Sequence, residues 1–319
     1  MRSGTPIIFY PQNTTEQVAI PTGSLALLSG ETITKVKLSD GTFIPLGGIT
    51  DITDFGRDLI DLPNITELKI LLGTATAWQP TSLTRRVDID FTSASLGAIS
   101  SIANAGSLGG DFGQTTSSKQ PTGVDFLTYR AASFDGDDSL SGSTAWLVGA
   151  NYAFFIAFSY DPDPPEQQYL YSGHPITVRA AHSVGSRNTT GNLVGPAHKS
   201  SDTWYAGNGS TANYGNIDFV YCSYDGSNFH TKFNGSIDSI VANTAVPDTG
   251  YNTVGAIGAA NIGSEYAYNL KGKIFRVIGF SSHQSDTDIA KMEGWAAWNF
   301  GRTSMLPANH PYKNVRPIV

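Results

Sequence analysis

Short runs of aromatic and β-branched residues, each closed off by Gly, Asn, Asp or Pro, recur through the last two-thirds of the chain. They include Ala132–Phe134, Tyr152–Ser159, Tyr169–Tyr171, Ile176–Val178, Ile217–Ser223, His230–Phe233, Thr253–Ile257 and Lys273–Phe280. Such side chains suit a pleated, half-buried surface, and the turn formers between them end each run early. Runs at this spacing argue for a sandwich or barrel rather than βαβ units. The balance of residues agrees: only 15% of the 319 are charged, against 34 Gly and 16 Pro. Long helices draw on more Glu, Lys, Arg and Ala than this chain offers.

Charge excludes several classes of partner. The net charge is −7, and the densest basic spot is the pair Arg85-Arg86. A nucleic-acid surface needs a basic face to displace counterions, so no nucleic-acid partner is expected. The lone Cys222 rules out an intrachain disulfide, and within Phe219–Tyr224 it reads as a small buried hydrophobe on a strand. The longest apolar stretch, Tyr152–Phe158, has the length of a strand and falls well short of a membrane span. No signal-type apolar run follows Met1, so synthesis in a cytoplasm without membrane insertion is expected.

Three regions differ in texture. Residues 1–48 read as short strands, with Ser39-Asp40-Gly41-Thr42 turning between two apolar runs as a hairpin. Residues 49–86 change period. Ile52, Phe55, Leu59 and Leu62 fall on one helical stripe, and after Pro63 a second stripe holds Ile65, Leu68 and Leu72. Asn64 with Glu67 resembles a capping box, and Gly73 suits the position past a helix end. Helices this short are not stable alone in water, so their apolar faces need a cover. Either they pack on the sandwich of the same chain, or symmetry-related copies pack together around an axis. A polar connector, 74–86, follows. Residues 87–319 are strands and turns until a last helix. There Ser285 is the cap, Asp286 and Asp288 sit in the first turn, Ile289, Met292, Ala296 and Phe300 form the stripe, and Gly301 is the stop.

The segment Asp54–Gly73 resembles a short element of phage fibre proteins: a Phe-Gly-x-x-Leu-Ile turn, a spacer, then a helix ending in Leu-Gly. The usual Arg late in the second helix is absent, with Lys69 nearby. That resemblance implies a small homotrimeric neck. Four further stretches resemble the concanavalin A-like lectin/glucanase superfamily in its laminin-G-like form. They are Ser101–Asp111 with Gln114 and Pro121, Ala132–Leu140, Tyr224–Gly226 with Lys232–Gly235, and Lys271–Phe280 with Ser285–Gly301. The tail Leu306–Asn314 resembles one that closes phage copies of such domains. The implied fold is all-β: an antiparallel jelly-roll β-sandwich with a short C-terminal helix, preceded by a small attachment and neck region.

Chemistry is read as much from gaps as from groups. Glycoside hydrolases of that superfamily place paired carboxylates along one strand as Glu-x-Asp, and this chain holds no Glu-x-Asp. Asp88/Asp90 and Asp135/Asp137 are close in sequence but carry no catalytic signature. The six His residues are scattered, no Gly-x-Ser-x-Gly elbow is present, and no phosphate loop is visible. No catalytic residue and no cofactor is expected. Asp135, Asp137 and Asp138 could hold Ca²⁺ together with backbone carbonyls, or simply form a solvated turn around Gly136. Glycan recognition pairs aromatic faces with polar hydrogen bonders. The candidates are Arg187, Asn188, Trp204, Tyr205, Asn208, Asn213 and Tyr214, in a long polar segment.

The resemblances imply a structural virion protein, a tail or head fibre or a spike. It would join other virion proteins through its N-terminal region, trimerise with itself, and offer the sandwich to host-surface glycan. A capsid decoration protein and a polysaccharide-degrading hydrolase are the alternatives.

Overall fold

The computed structural model describes residues 8–11, 18–19, 33–37, 43–45, 76–143, 151–162, 168–173, 182–186, 193–200, 203–207, 210–236, 239–246, 254–262 and 265–319. The expected strand Ile176–Val178 and the apolar stripes Ile52–Leu62 and Ile65–Leu72 lie outside them. The chain forms two compact units, Gln79–Lys313 and a smaller one of Met1–Trp78 with Asn314–Val319.

The smaller unit contains β1 (Ile8–Pro11), β2 (Val18–Ala19), β3 (Ile33–Lys37) and β4 (Phe43–Pro45), an antiparallel sheet ordered β2-β1-β3-β4. Lys37 pairs with Phe43 around Asp40-Gly41, the hairpin expected there. In the same unit Ala77 bridges Ile318, and the Trp78 N–H donates to Pro317 at 2.9 Å.

The larger unit opens with β5 (Val87–Asp90), β6 (Gly97–Ala98), β7 (Ser101–Ala103), β8 (Asp111–Gly113), β9 (Thr122–Phe126), β10 (Tyr129–Asp135) and β11 (Leu140–Ser143). It continues through β12 (Tyr152–Tyr160), β13 (Gln168–Gly173), β14 (His182–Ser186), β15 (Leu193–Ser200), β16 (Thr203–Ala206) and β17 (Ser210–Thr211). Then come β18 (Asp218–Tyr224), β19 (Asn228–Phe233), β20 (Ser239–Ala242), β21 (Val254–Ile257), β22 (Ala260–Ile262), β23 (Glu265–Ala267) and β24 (Lys271–Phe280), followed by helix α1 (Asp286–Asn299). One sheet runs β20-β19-β18-β12-β24-β10-β9-β6, with β5 also on β24. The other runs β16-β15-β14-β13-β21-β11-β8-β7, with β17 on β15. Every described strand pairing in the two sheets is antiparallel.

The sheets meet face to face. Phe154 of β12 and Tyr171 of β13 lie 4.7 Å apart between ring centroids, inside a core that also holds Ile156, Phe158, Val220, Ile257 and Val277. All nine residues of β12 are buried. That strand reads as unbroken apolar sequence rather than as an alternation because both of its faces are covered. Phe154, Ile156 and Phe158 serve the core, while Phe155 turns the other way onto Phe219 and onto Trp295 of α1. The helix forms as its sequence dictates. Ser285 Oγ accepts from the Asp288 N–H at 3.1 Å, Ile289, Met292 and Ala296 are buried, and Gly301 takes φ +62.

Side chains also stand in for backbone partners. Asn104 Oδ1 accepts from the N–H groups of Asp88 and Gly106, while its Nδ2 donates to Arg86 and Gly109 carbonyls. Asn234 and Gly235 both have positive φ, 51 and 75, as the two central residues of a type I′ turn do, and the Ser236 N–H closes that turn on the Phe233 carbonyl at 3.0 Å within the longer β19–β20 connection. Glycine is required at the second of them for space as well, since a Cβ there would sit 2.6 Å from Leu306 Cδ2. The tail thus packs on the turn, and the Trp298 indole N–H donates to the Tyr312 carbonyl at 2.9 Å.

The first and last strands of the sandwich are joined by a buried ion pair. Arg276 of β24 donates to both carboxylate oxygens of Asp88 in β5, at 2.8 and 2.9 Å, and its guanidinium lies 5.0 Å from the Trp295 ring centroid. Removing Arg276 takes the bidentate partner from a buried carboxylate and leaves it only Arg85, at 2.9 Å. Arg276→Met should therefore cost about 3–5 kcal/mol in urea unfolding. Combining it with Asp88→Leu and Arg85→Leu, which removes all three charges, should recover much of that loss, and a triple variant as unstable as the single would disprove the account.

Candidate functional sites

The β10–β11 turn carries the chain from one sheet to the other. β10 ends at Asp135, Gly136 takes φ +113, and the chain folds back so that three carboxylates converge. Oxygens of Asp135, Asp137 and Asp138 all lie within 4.8 Å of one another. Two of the acids also brace the turn. The Asp135 N–H donates to Asp138 at 3.1 Å, and the Asp137 N–H to Asp135 at 3.2 Å. Asp138 is only 5% exposed. Burial pushes its carboxyl up to about 6, and the charges of Asp135 and Asp137 push the same way. Asp137 is also raised, first by its hydrogen bond to Asp135, while Lys119 draws it back. Three hard oxygen donors with too little positive charge among them suit Ca²⁺, whose remaining ligands would be carbonyls and water. The sequence singled out these three residues, and the turn brings them together.

The other sequence candidates scatter. Arg187, Asn188 and Asn208 lie outside the described residues. Trp204 and Tyr205 fall in β16, the edge strand beside β15, rather than in a long polar loop. Asn213 is spent on the fold: its backbone N–H donates to Asp218 at 2.6 Å and its amide to the same carboxylate at 3.0 Å. Asn234 donates there as well, at 2.8 Å. Burial raises the Asp218 carboxyl, and these bonds together with Arg302 oppose the rise. Beside this clamp Tyr214 remains 38% exposed, on a turn pinned by the Gly215 N–H to the Tyr160 carbonyl. The clamp holds the turn, and Tyr214 is its accessible aromatic.

The carboxylates nearest to a hydrolase pattern are engaged in structure. Asp88 is held by Arg276, with Arg85 at 2.9 Å, and Asp90 caps a short turn by accepting from the Thr92 N–H at 3.0 Å. A different cluster escaped the sequence reading. His230 and His283 lie 4.4 Å apart between ring centroids, on the face of the first sheet opposite the core. No local motif announces them, because one belongs to β19 and the other to the loop before α1.

No protein-family model matches the sequence, and no curated protein matches it. Solved structures do. The chain is similar to domain 4 of AbnA, a GH43 extracellular arabinanase from Geobacillus stearothermophilus, in complex with arabinotriose. The TM-score is 0.52 at 14% identity, over 66% of this chain and 98% of that one. It is also similar to the Ruminococcus gnavus IT-sialidase CBM40 bound to α2,3 sialyllactose, with TM-score 0.41 at 14% identity over 50% of this chain and 92% of that one. The first likeness confirms the antiparallel β-sandwich.

Calcium gives the acidic turn a direct test. Asp138 binds its proton more tightly when folded than at the ordinary 3.8, so in calcium-free buffer its contribution to stability is lost as pH rises through about 6. At neutral pH, millimolar Ca²⁺ should raise Tm by several degrees. Asp138→Asn should flatten the pH dependence and abolish the calcium response. A Tm indifferent to calcium would leave a solvated turn.

Proposed function

We propose that the larger unit is a non-catalytic carbohydrate-binding domain, carried by a virion fibre or spike that attaches through residues 1–48 and presents the sandwich to host-surface glycan. The observation that carries the binding half of this reading is coverage. The sandwich aligns with 98% of a domain captured with an oligosaccharide, so the likeness spans that whole binding unit. Its own residues support it further. Tyr214 offers an exposed aromatic beside polar groups fixed in place. Asp88 and Asp90 are committed to an ion pair and a cap, and the Asp135 cluster resembles a cation cradle more than an acid–base pair. The virion half rests on the fibre-like segment Asp54–Gly73 and the tail Leu306–Asn314.

Binding to a panel of arabinans, sialylated glycans and bacterial capsules should be detectable by calorimetry, with no release of reducing ends. Tyr214→Ala should weaken it about fivefold, the loss of one aromatic contact of about 1 kcal/mol. Cleavage of any glycan in the panel, or binding to none, overturns the reading. Binding to assembled particles without glycan binding would instead indicate the decoration role.

The fibre reading also requires a trimer. The stripes Ile52/Phe55/Leu59/Leu62 and Ile65/Leu68/Leu72 would close around a threefold axis. Light scattering of the full chain should give a trimer, and Leu59→Asp with Leu68→Asp should yield a folded monomer. A wild-type monomer at micromolar concentration would remove the neck.

A further inference from the structure

The turn between β17 and β18 and the residue just past the stop of α1 meet at one surface. Gly301 leads the chain out of α1 at φ +62, and the Arg302 N–H closes that exit on the Ala297 carbonyl at 2.6 Å. The Arg302 side chain then runs to the turn, where Nη1 donates to Asn216 Oδ1 at 3.4 Å. Asn216 Nδ2 donates in its turn to the Tyr214 carbonyl at 3.2 Å. One exposed amide therefore ties the guanidinium to the accessible aromatic.

We propose that this guanidinium selects the ligand: the glycan held at the Tyr214 turn is an acidic one, a uronic or sialic acid sugar whose carboxylate docks on Arg302 while its ring lies on Tyr214. The proposal rests on the carbohydrate-binding reading above and names its ligand class.

The argument is one of unused donors. A guanidinium carries five N–H donors in a rigid fork that fits a carboxylate two at a time. Arg302 commits few of them. Its Nη1 bond is long, Nη2 points at Met305 Sδ, a weak acceptor, and Nε is buried with no partner among the described residues. Among those residues no carboxylate lies within ion-pair distance of it, whereas Arg130 and Arg276 each hold an Asp at 2.8 Å. Asp218 feels the Arg302 charge from farther off, but its oxygens are filled from inside the fold by Asn213 and Asn234. Asp161, which follows the Tyr160 carbonyl that pins the turn, is paired with Lys273. Lys313 adds a second cation, its Nζ donating to the Ser304 and Leu306 carbonyls on either side of Met305. Among the described residues the surface beside Tyr214 is thus positive, although the chain carries −7. Acids elsewhere on the molecule are screened beyond about 8 Å at physiological ionic strength, so the local sign governs docking.

Calorimetry with the full chain tests this on paired ligands: a sialylated glycan and a uronate-containing capsule, each beside the same glycan with its carboxyls reduced to alcohols. The acidic form should bind about tenfold tighter than its reduced twin, the gain of one charge-assisted fork. Arg302→Lys keeps the charge at the end of α1 but loses the fork, and should remove most of that preference at unchanged Tm. Tyr214→Ala should weaken both twins alike. Should Arg302→Lys fail to fold, Asn216→Ala decides: it takes away the exposed amide that orients the guanidinium and should cut the preference about threefold. Equal binding of acidic and reduced twins, or binding of a neutral arabinan alone, overturns the assignment and leaves carbohydrate binding standing. A preference unchanged in Arg302→Lys and Asn216→Ala overturns it as well, and binding to none of these glycans overturns both readings.

Discussion

A guanidinium only 7% exposed fastens the beginning of the sandwich to its end. Arg276 reaches Asp88 across the β5–β24 pairing, and the two strands are set in register so that Ile278 opposes Asp88 and Arg276 opposes Asp90. The pairing determines what surrounds it. Asn104 can bond the Asp88 N–H only while β5 is seated, and in doing so it shapes the loop that closes at Gly109 and Gly110, both with positive φ. On the other side, Trp295 lies on the guanidinium and brings α1 down on Phe155. Replacing the ion pair with apolar groups could leave stability intact, but a bidentate carboxylate–guanidinium contact tolerates only a narrow range of registers. Its value here is in fixing which residues oppose one another.

Legibility in the sequence followed how local the cause was. Tyr152–Ser159 was readable as a strand because its side chains alone supply the apolar burial. Ser285, Asp288 and Gly301 announced the helix because caps and stops act within a few residues. The turns at Asp135-Gly136 and Asn234-Gly235 were readable for the same reason. By contrast β6, β7, β8 and β15 are built mostly from Gly, Ala, Ser and other residues with little intrinsic strand preference, with only Ile102, Phe112 and Val194 favouring a strand. They are strands because neighbours pair with them. The register even aligns a row of small residues across the second sheet, Ser101, Gly113, Ser141, Ala256, Ser172, Ser183, Ala197 and Ala206. A pattern rule based on bulky alternation passes over such a row. The segment around Trp204-Tyr205 could be read from sequence either as a polar binding loop or as strand, and it is sheet edge in the structure.

The sites divide along the same line. Asp135, Asp137 and Asp138 are neighbours in sequence, so their convergence needs only one turn. Asn213 looks like a ligand group in sequence because nothing nearby reveals that Asp218 occupies it. His230 and His283 look unrelated because their meeting depends on the β18–β19 hairpin and the β24–α1 loop reaching the same face.

The central position of β12 carries a cost in time rather than in energy. Both of its pairing partners, β18 and β24, lie further along the chain, and β24 is the last strand of the sandwich. During synthesis nine consecutive residues destined for burial have no edge to pair with until much later sequence emerges. Folds dominated by such distant pairings form slowly, and unpaired apolar strands associate with one another in the interval. Yield of the native protein should therefore depend on chain concentration and on shielding of nascent chains as well as on the final stability of the sandwich.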